Sequence, residues 1–165
     1  MKSLRIELER VGIKVVGADT HIFTPQAPLE YDVFEVYELD KEIDIVVAGM
    51  DYDYTYSKLA LAALYVNERK CKLVATNEDA FVYINGRRFP CAGALLAPLK
   101  LAVQDKSVIE VVGKPNAYAY KMISEKFNLG QKKVLMVGDN PNTDIAFGNA
   151  SKIDSCLVMT GNVRD

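Results

Sequence analysis

Apolar residues fall along this chain in short continuous runs, each closed by a glycine or an Asn/Asp corner and most followed by a stretch with helical spacing. Runs at 43–48, 72–76, 108–112 and 133–137, and a last one at 155–159, have the continuous apolar character of strands covered on both faces. Between them the period changes. Leu59, Ala60, Ala63 and Leu64 share one face of a helix predicted over 56–66, and Tyr120, Ile123 and Phe127 share one face of another over 116–129, stopped by Gly130. Small residues fill a third helix over 90–103. Leu4, Leu8 and Val11 predict an opening helix halted at Gly12, then a short strand at 13–16. Asn85-Gly86 between two β-prone runs is a strong hairpin signal for 81–89. The polar, Pro-punctuated stretch 25–39 reads as an exposed loop, and alternating Tyr52, Tyr54 and Tyr56 read as packing on one side of a turn. Strands alternating with helices predict an α/β fold with parallel pairing.

The most informative run ends Val137-Gly138-Asp139-Asn140-Pro141-Asn142-Thr143-Asp144. An acid directly after a buried parallel strand stands at the carboxyl edge, where open α/β sheets bind ligands. Asn-Pro-Asn is turn chemistry, Asn142 or Thr143 is placed to cap the next helix, and the turn returns Asp144 toward Asp139. Two carboxylates there suit a hard cation such as Mg²⁺. They are also ordinary turn and helix-start residues, so this run alone does not decide. The run ending Val112-Gly113-Lys114-Pro115 changes the balance, because a strand–helix–strand crossover brings Lys114 and Asp139 to one sheet edge. A lysine facing two acids suits a phosphoryl group and its metal.

These residues carry a resemblance. Gly113-Lys114-Pro115, then Gly138-Asp139-x-x-x-Thr143-Asp144, resembles the third and fourth motifs of the haloacid dehalogenase (HAD) superfamily. Gly49-x-Asp51 with Tyr56-x-Lys58-Leu59, Ala75-Thr76-Asn77-x-Asp79, Pro90 to Ala94 and Leu157 to Gly161 resemble its branch with a large α/β cap. That branch includes 4-nitrophenylphosphatases, phosphoglycolate phosphatases and pyridoxal phosphatases. The resemblance implies a Mg²⁺-dependent phosphatase of small phosphorylated metabolites. It implies that Lys114 steadies phosphate charge, that Asp139 ligates the metal and that Asp144 orients the metal's water shell or Lys114. Asn116 and Asn140 would hydrogen-bond metal-bound water. Asn77 and Asp79 are substrate-binding or loop-orienting candidates, set against a plain Asx turn. Homodimerisation through the cap is a further implication. The family's opening Asp-x-Asp strand, source of the nucleophile, is read as absent from the chain, as is its second motif, so the expectation is a partial enzyme, cut at both ends and inactive alone. The runner-up is a non-catalytic phosphate-binding or dimerisation module. In domain terms this gives an α/β cap over residues 1–106 and half of a Rossmann-like core over 107–165.

Composition narrows the alternatives. With 165 residues, half of them hydrophobic, the chain has material for a core. A net charge of −2 gives no basic footprint for nucleic acid or anionic membrane. No apolar run approaches the ~18 residues of a spanning helix. Cys71, Cys91 and Cys156 are isolated and odd in number, matching neither a disulfide framework nor a zinc site, so a reducing, cytoplasmic setting is expected. Arg87 and Arg88 read as solvated edge charges, and His21, the single histidine, as solvated or satisfied.

Overall fold

The computed structural model describes residues 2–17 and 38–161. Helix α1 (Lys2–Arg10) precedes a parallel sheet built from β1 (Ile45–Ala48), β2 (Lys72–Ala75) and β5 (Ile109–Val111), in the order β1-β2-β5. Helix α2 (Tyr56–Glu68) links β1 to β2, and Thr55 caps it by accepting the Lys58 N–H. Between β2 and β5 lie the hairpin β3 (Phe81–Ile84) and β4 (Arg87–Pro90), then α3 (Ala92–Ala102). After β5 come α4 (Tyr118–Lys126), β6 (Leu135–Gly138), α5 (Ala146–Ser151) and β7 (Asp154–Leu157). Strands β6 and β7 pair in parallel as a separate two-stranded sheet.

The main core lies where α2 and α3 cover one face of the first sheet. Leu73 and Ala75 alternate onto that face and are fully or almost fully buried, meeting Val66 of α2, Leu96 and Leu99 of α3, and Val103 just beyond α3. Burial of such aliphatic side chains contributes about 1.5–3 kcal/mol each and is what holds helices this short in place. A satellite cluster of Leu61, Tyr65 and Cys71 packs under Leu39, Ile43 and Val46, where the Tyr65 hydroxyl accepts the Asp40 N–H.

Most predicted elements are present, with shifted ends. Residues 13–16, expected as a strand, are irregular. The 108–112 strand pairs with β2, Leu73 opposite Ile109, rather than with β6. The change of sheet therefore falls between Val111 and Leu135, and the expected boundary at 106 would cut the first sheet. The reason is physical: a strand's own residues specify that it is covered, not which neighbour supplies the hydrogen bonds. Of the three tyrosines, Tyr52 and Tyr56 are exposed, and only the Tyr54 hydroxyl is buried. Arg88 is not merely solvated, since its guanidinium lies 3.8 Å from the Phe81 ring centroid, a cation–π contact. His21 and most of the 25–39 loop lie outside the described residues.

Candidate active site

Three corners converge on one cleft. The first is the turn after β6. Asn140 accepts the Asn142 N–H at 2.9 Å and Pro141 takes the first position of a wide helical turn, Pro141–Ile145, that leads into α5. Asn140 is thus the cap, where Asn142 or Thr143 was expected. The turn swings the Asp144 carboxylate back onto the strand end. There its Oδ2 accepts the N–H groups of Asp139 (3.0 Å) and Asn140 (3.1 Å). Gly138 is required by this return, because a Cβ at 138 would run into the Asp144 carboxylate.

Lys114 forms the second corner. Gly113 lies against the Thr76 carbonyl so closely that any side chain would collide with it. That approach delivers Lys114 to the β6 edge, where its Nζ donates to Asp144 Oδ1 at 2.5 Å. Asp144 is 3% exposed, whereas the Lys114 side chain keeps 42% of its surface. Burial pushes the Asp144 carboxyl up. The Lys114 hydrogen bond, the Asn140 N–H, the lysine's charge and the Asp139 N–H together outweigh that, holding it below the ordinary carboxylate range.

The third corner follows β2. Thr76 Oγ1 donates to Asn77 Oδ1 at 3.0 Å and Asn77 Nδ2 donates to Asp79 Oδ2 at 2.8 Å. The start of α3 packs on the same corner, with the Gly93 N–H on the Asp79 carbonyl. A cleft of about 220 Å³ is lined by Asp79, Lys114, Asp139, Asn140, Thr143 and Asp144, closed on its apolar side by Phe81, Val82 and Cys91.

The expected residues distribute clearly. Lys114, Asp139, Asp144, Asn140 and Asp79 share the cleft. Asn77 acts on it through Asp79. Asn116 does not line it, and its Oδ1 accepts the Tyr118 N–H at the start of α4. Asn140 lines it with its side-chain oxygen already engaged in capping. Sequence reading missed Thr143 as a wall, the apolar side, and Gly161, where a Cβ would strike the Asp139 carboxylate. An Asp-x-Asp does occur, Asp51-Tyr52-Asp53, just beyond β1. It does not stand at the cleft as the nucleophile of the resemblance would. Asp51 is held at 2.7 Å by Lys58, which also donates to the Asp53 carbonyl, and neither acid lines the cleft.

As a metal site the cleft fits a cation that keeps several waters. Among the described residues no cluster of three or more His, Cys, Asp or Glu forms a full protein cage. Both oxygens of Asp144 are engaged, by Lys114 and by two N–H groups. Asp139, which lies close against Gly161 at the strand edge, is the second carboxylate of this edge in the cleft. One carboxylate, substrate oxygens and water is a set Mg²⁺ accepts.

A strand-end lysine locked to one acid beside a second acid is an arrangement that suits a phosphoryl group. Comparison with known proteins agrees with it. The HAD-hydrolase-like family profile matches residues 111–165. Glycerol-3-phosphate phosphatase of Rattus norvegicus is 29% identical over 96% of this chain and 48% of its own length. The 4-nitrophenylphosphatase of Schizosaccharomyces pombe is 33% identical over 94% of this chain and 51% of its own. Among solved structures, glycerol phosphate phosphatase from Mycobacterium tuberculosis, in complex with calcium, superposes with a TM-score of 0.72 at 28% identity, over 98% of this chain and 40% of that one. Over nearly its whole length the chain is similar to these phosphatases, and it spans about half the length of the curated relatives it matches.

Proposed function

We propose that this chain carries the phosphate- and metal-binding portion of a Mg²⁺-dependent phosphoric monoester hydrolase acting on small phosphorylated metabolites. The observation that carries this is the convergence of Lys114, Asp139 and Asp144 on one cleft, with the lysine's ammonium already fixed by Asp144. Phosphoryl transfer asks a protein mainly for positioning and charge neutralisation. Lys114 retains donors to steady phosphoryl oxygens beyond the one given to Asp144. Asp139 would hold the divalent ion, whose chemistry when bound is neutralisation of charge on the same oxygens. Asp144 fixes the lysine and ties down the 139–140 backbone. Phe81, Val82 and Cys91 limit water on the cap side.

The nucleophile is a separate matter. In the reading by resemblance it is an aspartate, and the described residues bring only Asp79, Asp139 and Asp144 into the cleft, all with other roles. The 165 residues are therefore expected to bind phosphate and Mg²⁺ without turnover unless a strand carrying that aspartate completes the site. A reducing, cytoplasmic setting accords with three free cysteines, and the open hairpin, exposing Val82, Ile84 and Phe89, accords with cap-mediated pairing of two copies.

Hydrolysis of 4-nitrophenyl phosphate with and without Mg²⁺, beside Mg²⁺ titration of the same sample, tests the proposal. Turnover abolished by Asp139→Asn supports a self-sufficient enzyme. Phosphate and Mg²⁺ binding that is lost in Asp139→Asn, without turnover, supports the binding portion. Binding of neither ligand refutes both readings.

A further inference from the structure

The cleft of about 220 Å³ adjoins a second cavity of about 370 Å³, and the two share Asp79, Phe81, Asn140 and Thr143. Of the four, Thr143 alone is buried, with 8% of its surface exposed. Its backbone is engaged on both sides: the N–H donates to the Asn140 carbonyl at 3.4 Å and the carbonyl accepts from the Ala146 N–H. Its hydroxyl is not. A threonine in a helical turn ordinarily stands in solvent or returns its hydroxyl to the carbonyl one turn back. Thr143 is too buried for the first, and among the described residues its hydroxyl makes neither the second bond nor any other. The hydroxyls sealed from solvent without a partner are, among the described residues, those of Tyr54, Ser151 and Ser155. The Thr143 hydroxyl therefore still meets solvent, and the cleft is where a residue this buried can do so. Buried polar groups nearly always have a hydrogen-bond partner, and an exception of this kind points to a ligand.

The surroundings say which ligand. Asp79, Asp139 and Asp144 line the same cleft and, when ionised, only accept hydrogen bonds. A phosphoryl group likewise offers acceptor oxygens, so it needs donors, and one charged donor, Lys114, lines the cleft. We propose that Thr143 is a direct phosphate-binding residue, its Oγ1–H donating to an oxygen of the phosphoryl group that Lys114 also holds. The hydroxyl adds a donor without disturbing the charge balance among the lysine, the acids and the divalent ion. It is held ready, because the acid beside it, Asp144, is fixed by Lys114 and by the Asp139 and Asn140 N–H groups. A donor on so fixed a turn needs little reorganisation when an anion arrives. This rests on the phosphate-binding reading above and adds to it a residue whose loss separates phosphate affinity from metal affinity.

Calorimetry on the full 165-residue chain tests it, with orthophosphate titrated in the presence of Mg²⁺ and Mg²⁺ titrated alone. Thr143→Val keeps the branched shape and deletes the hydroxyl, whereas Thr143→Ser keeps the hydroxyl. In Thr143→Val, orthophosphate binding should weaken by about tenfold or more, the usual worth of a hydrogen bond to a charged group. Binding of Mg²⁺ alone should stay within about twofold. Thr143→Ser should bind orthophosphate within about threefold of the wild-type chain. The urea midpoint of Thr143→Val should equal or exceed that of wild type, since the hydroxyl has no bond within the chain to lose. A purely structural threonine gives the opposite, a lowered midpoint, and that result overturns the proposal. So do an unchanged orthophosphate affinity in Thr143→Val and a Thr143→Ser chain as weak as Thr143→Val. Loss of Mg²⁺ binding in parallel overturns it too, by making the hydroxyl a partner of metal-held water. All of these leave the phosphate site standing, provided the wild-type chain binds orthophosphate. Failure of the wild-type chain to bind it overturns the phosphate-binding reading and the Thr143 assignment together.

Discussion

Lys114 and Asp144, thirty residues apart in sequence, share a hydrogen bond of 2.5 Å in which the acid is buried and the lysine half open. The asymmetry matters. Asp144 has no water to fall back on, so the lysine and the two strand-end N–H groups supply its hydrogen bonds. Lys114 can keep part of its hydration and turn its remaining donors toward the cleft.

Replacing Asp144 by Ala should therefore cost more than replacing Lys114 by Met. The first removes the acceptor of two backbone N–H groups and leaves the lysine uncompensated, about 2–4 kcal/mol in all. The second leaves a buried carboxylate still holding two N–H bonds, about 1–2 kcal/mol given the lysine's exposure. Urea denaturation of both variants checks the order. A larger loss in Lys114→Met would mean that the lysine, not the acid, organises the corner.

Acid should find the same corner. Asp144 titrates below its unfolded value in the folded chain, so its contribution is fully present above the unfolded carboxylate pKa near 4 and is lost as pH falls through the lower folded value. Asp51, whose burial is outweighed by the Lys58 bond and the Asp53 N–H, has the same sign. Asp144→Asn and Asp51→Asn should each flatten the fall of melting temperature with pH below about 4. Little change between pH 6 and 8 is expected from either. A slope at acid pH equal to that of the wild-type chain would remove these acids from the account.

How much of this was legible in advance follows the range of each interaction. The strands, the helices, the Asn85-Gly86 hairpin and the meeting of Lys114 with Asp139 and Asp144 could be read because periodicity and turn chemistry are local, and a crossover brings parallel strand ends together. The pairing of β5 with β2 could not, since Ile109 and Val111 state only that they are covered. Asn140 was passed over as the cap because Asn142 and Thr143 are equally good cap residues, and only the path of the backbone chooses among them. The contact of Gly161 with Asp139, and the apolar wall of Phe81, Val82 and Cys91, are tertiary and leave no mark on their own segments.

The glycine at the end of β6 gives a sharper test of the site than any charged residue. Gly138→Ala adds one methyl group directly into the Asp144 carboxylate, with neither the strand nor the held acid free to retreat. Mg²⁺-dependent orthophosphate binding should fall by about tenfold or more, with stability lowered by about 1–3 kcal/mol, the usual range for overpacking. Gly86→Ala, at the hairpin tip with open space around it, is the control. It carries the backbone cost of a positive φ and should leave phosphate binding unchanged. Equal effects on binding from the two would show that the loss is one of stability, not of cleft geometry.

The second sheet carries a consequence for the whole chain. Leu135 and Val137, 57% and 54% exposed, project from one face of β6, and Val137 stands opposite exposed Cys156 of β7. Phe127, the C-cap residue of α4, is 61% exposed. Parallel strands are ordinarily covered on both faces, and two strands alone present open edges as well. An apolar face of this kind associates in water unless something covers it. Sedimentation velocity of the 165-residue chain should show concentration-dependent association. Leu135→Lys combined with Val137→Lys should move it toward monomer without disturbing the first sheet, whose core of Leu73, Leu96 and Val103 lies elsewhere. A wild-type chain that stays monomeric at every concentration would mean that this face is tolerated bare or folded away in solution. In that case the two lysines should change nothing but net charge.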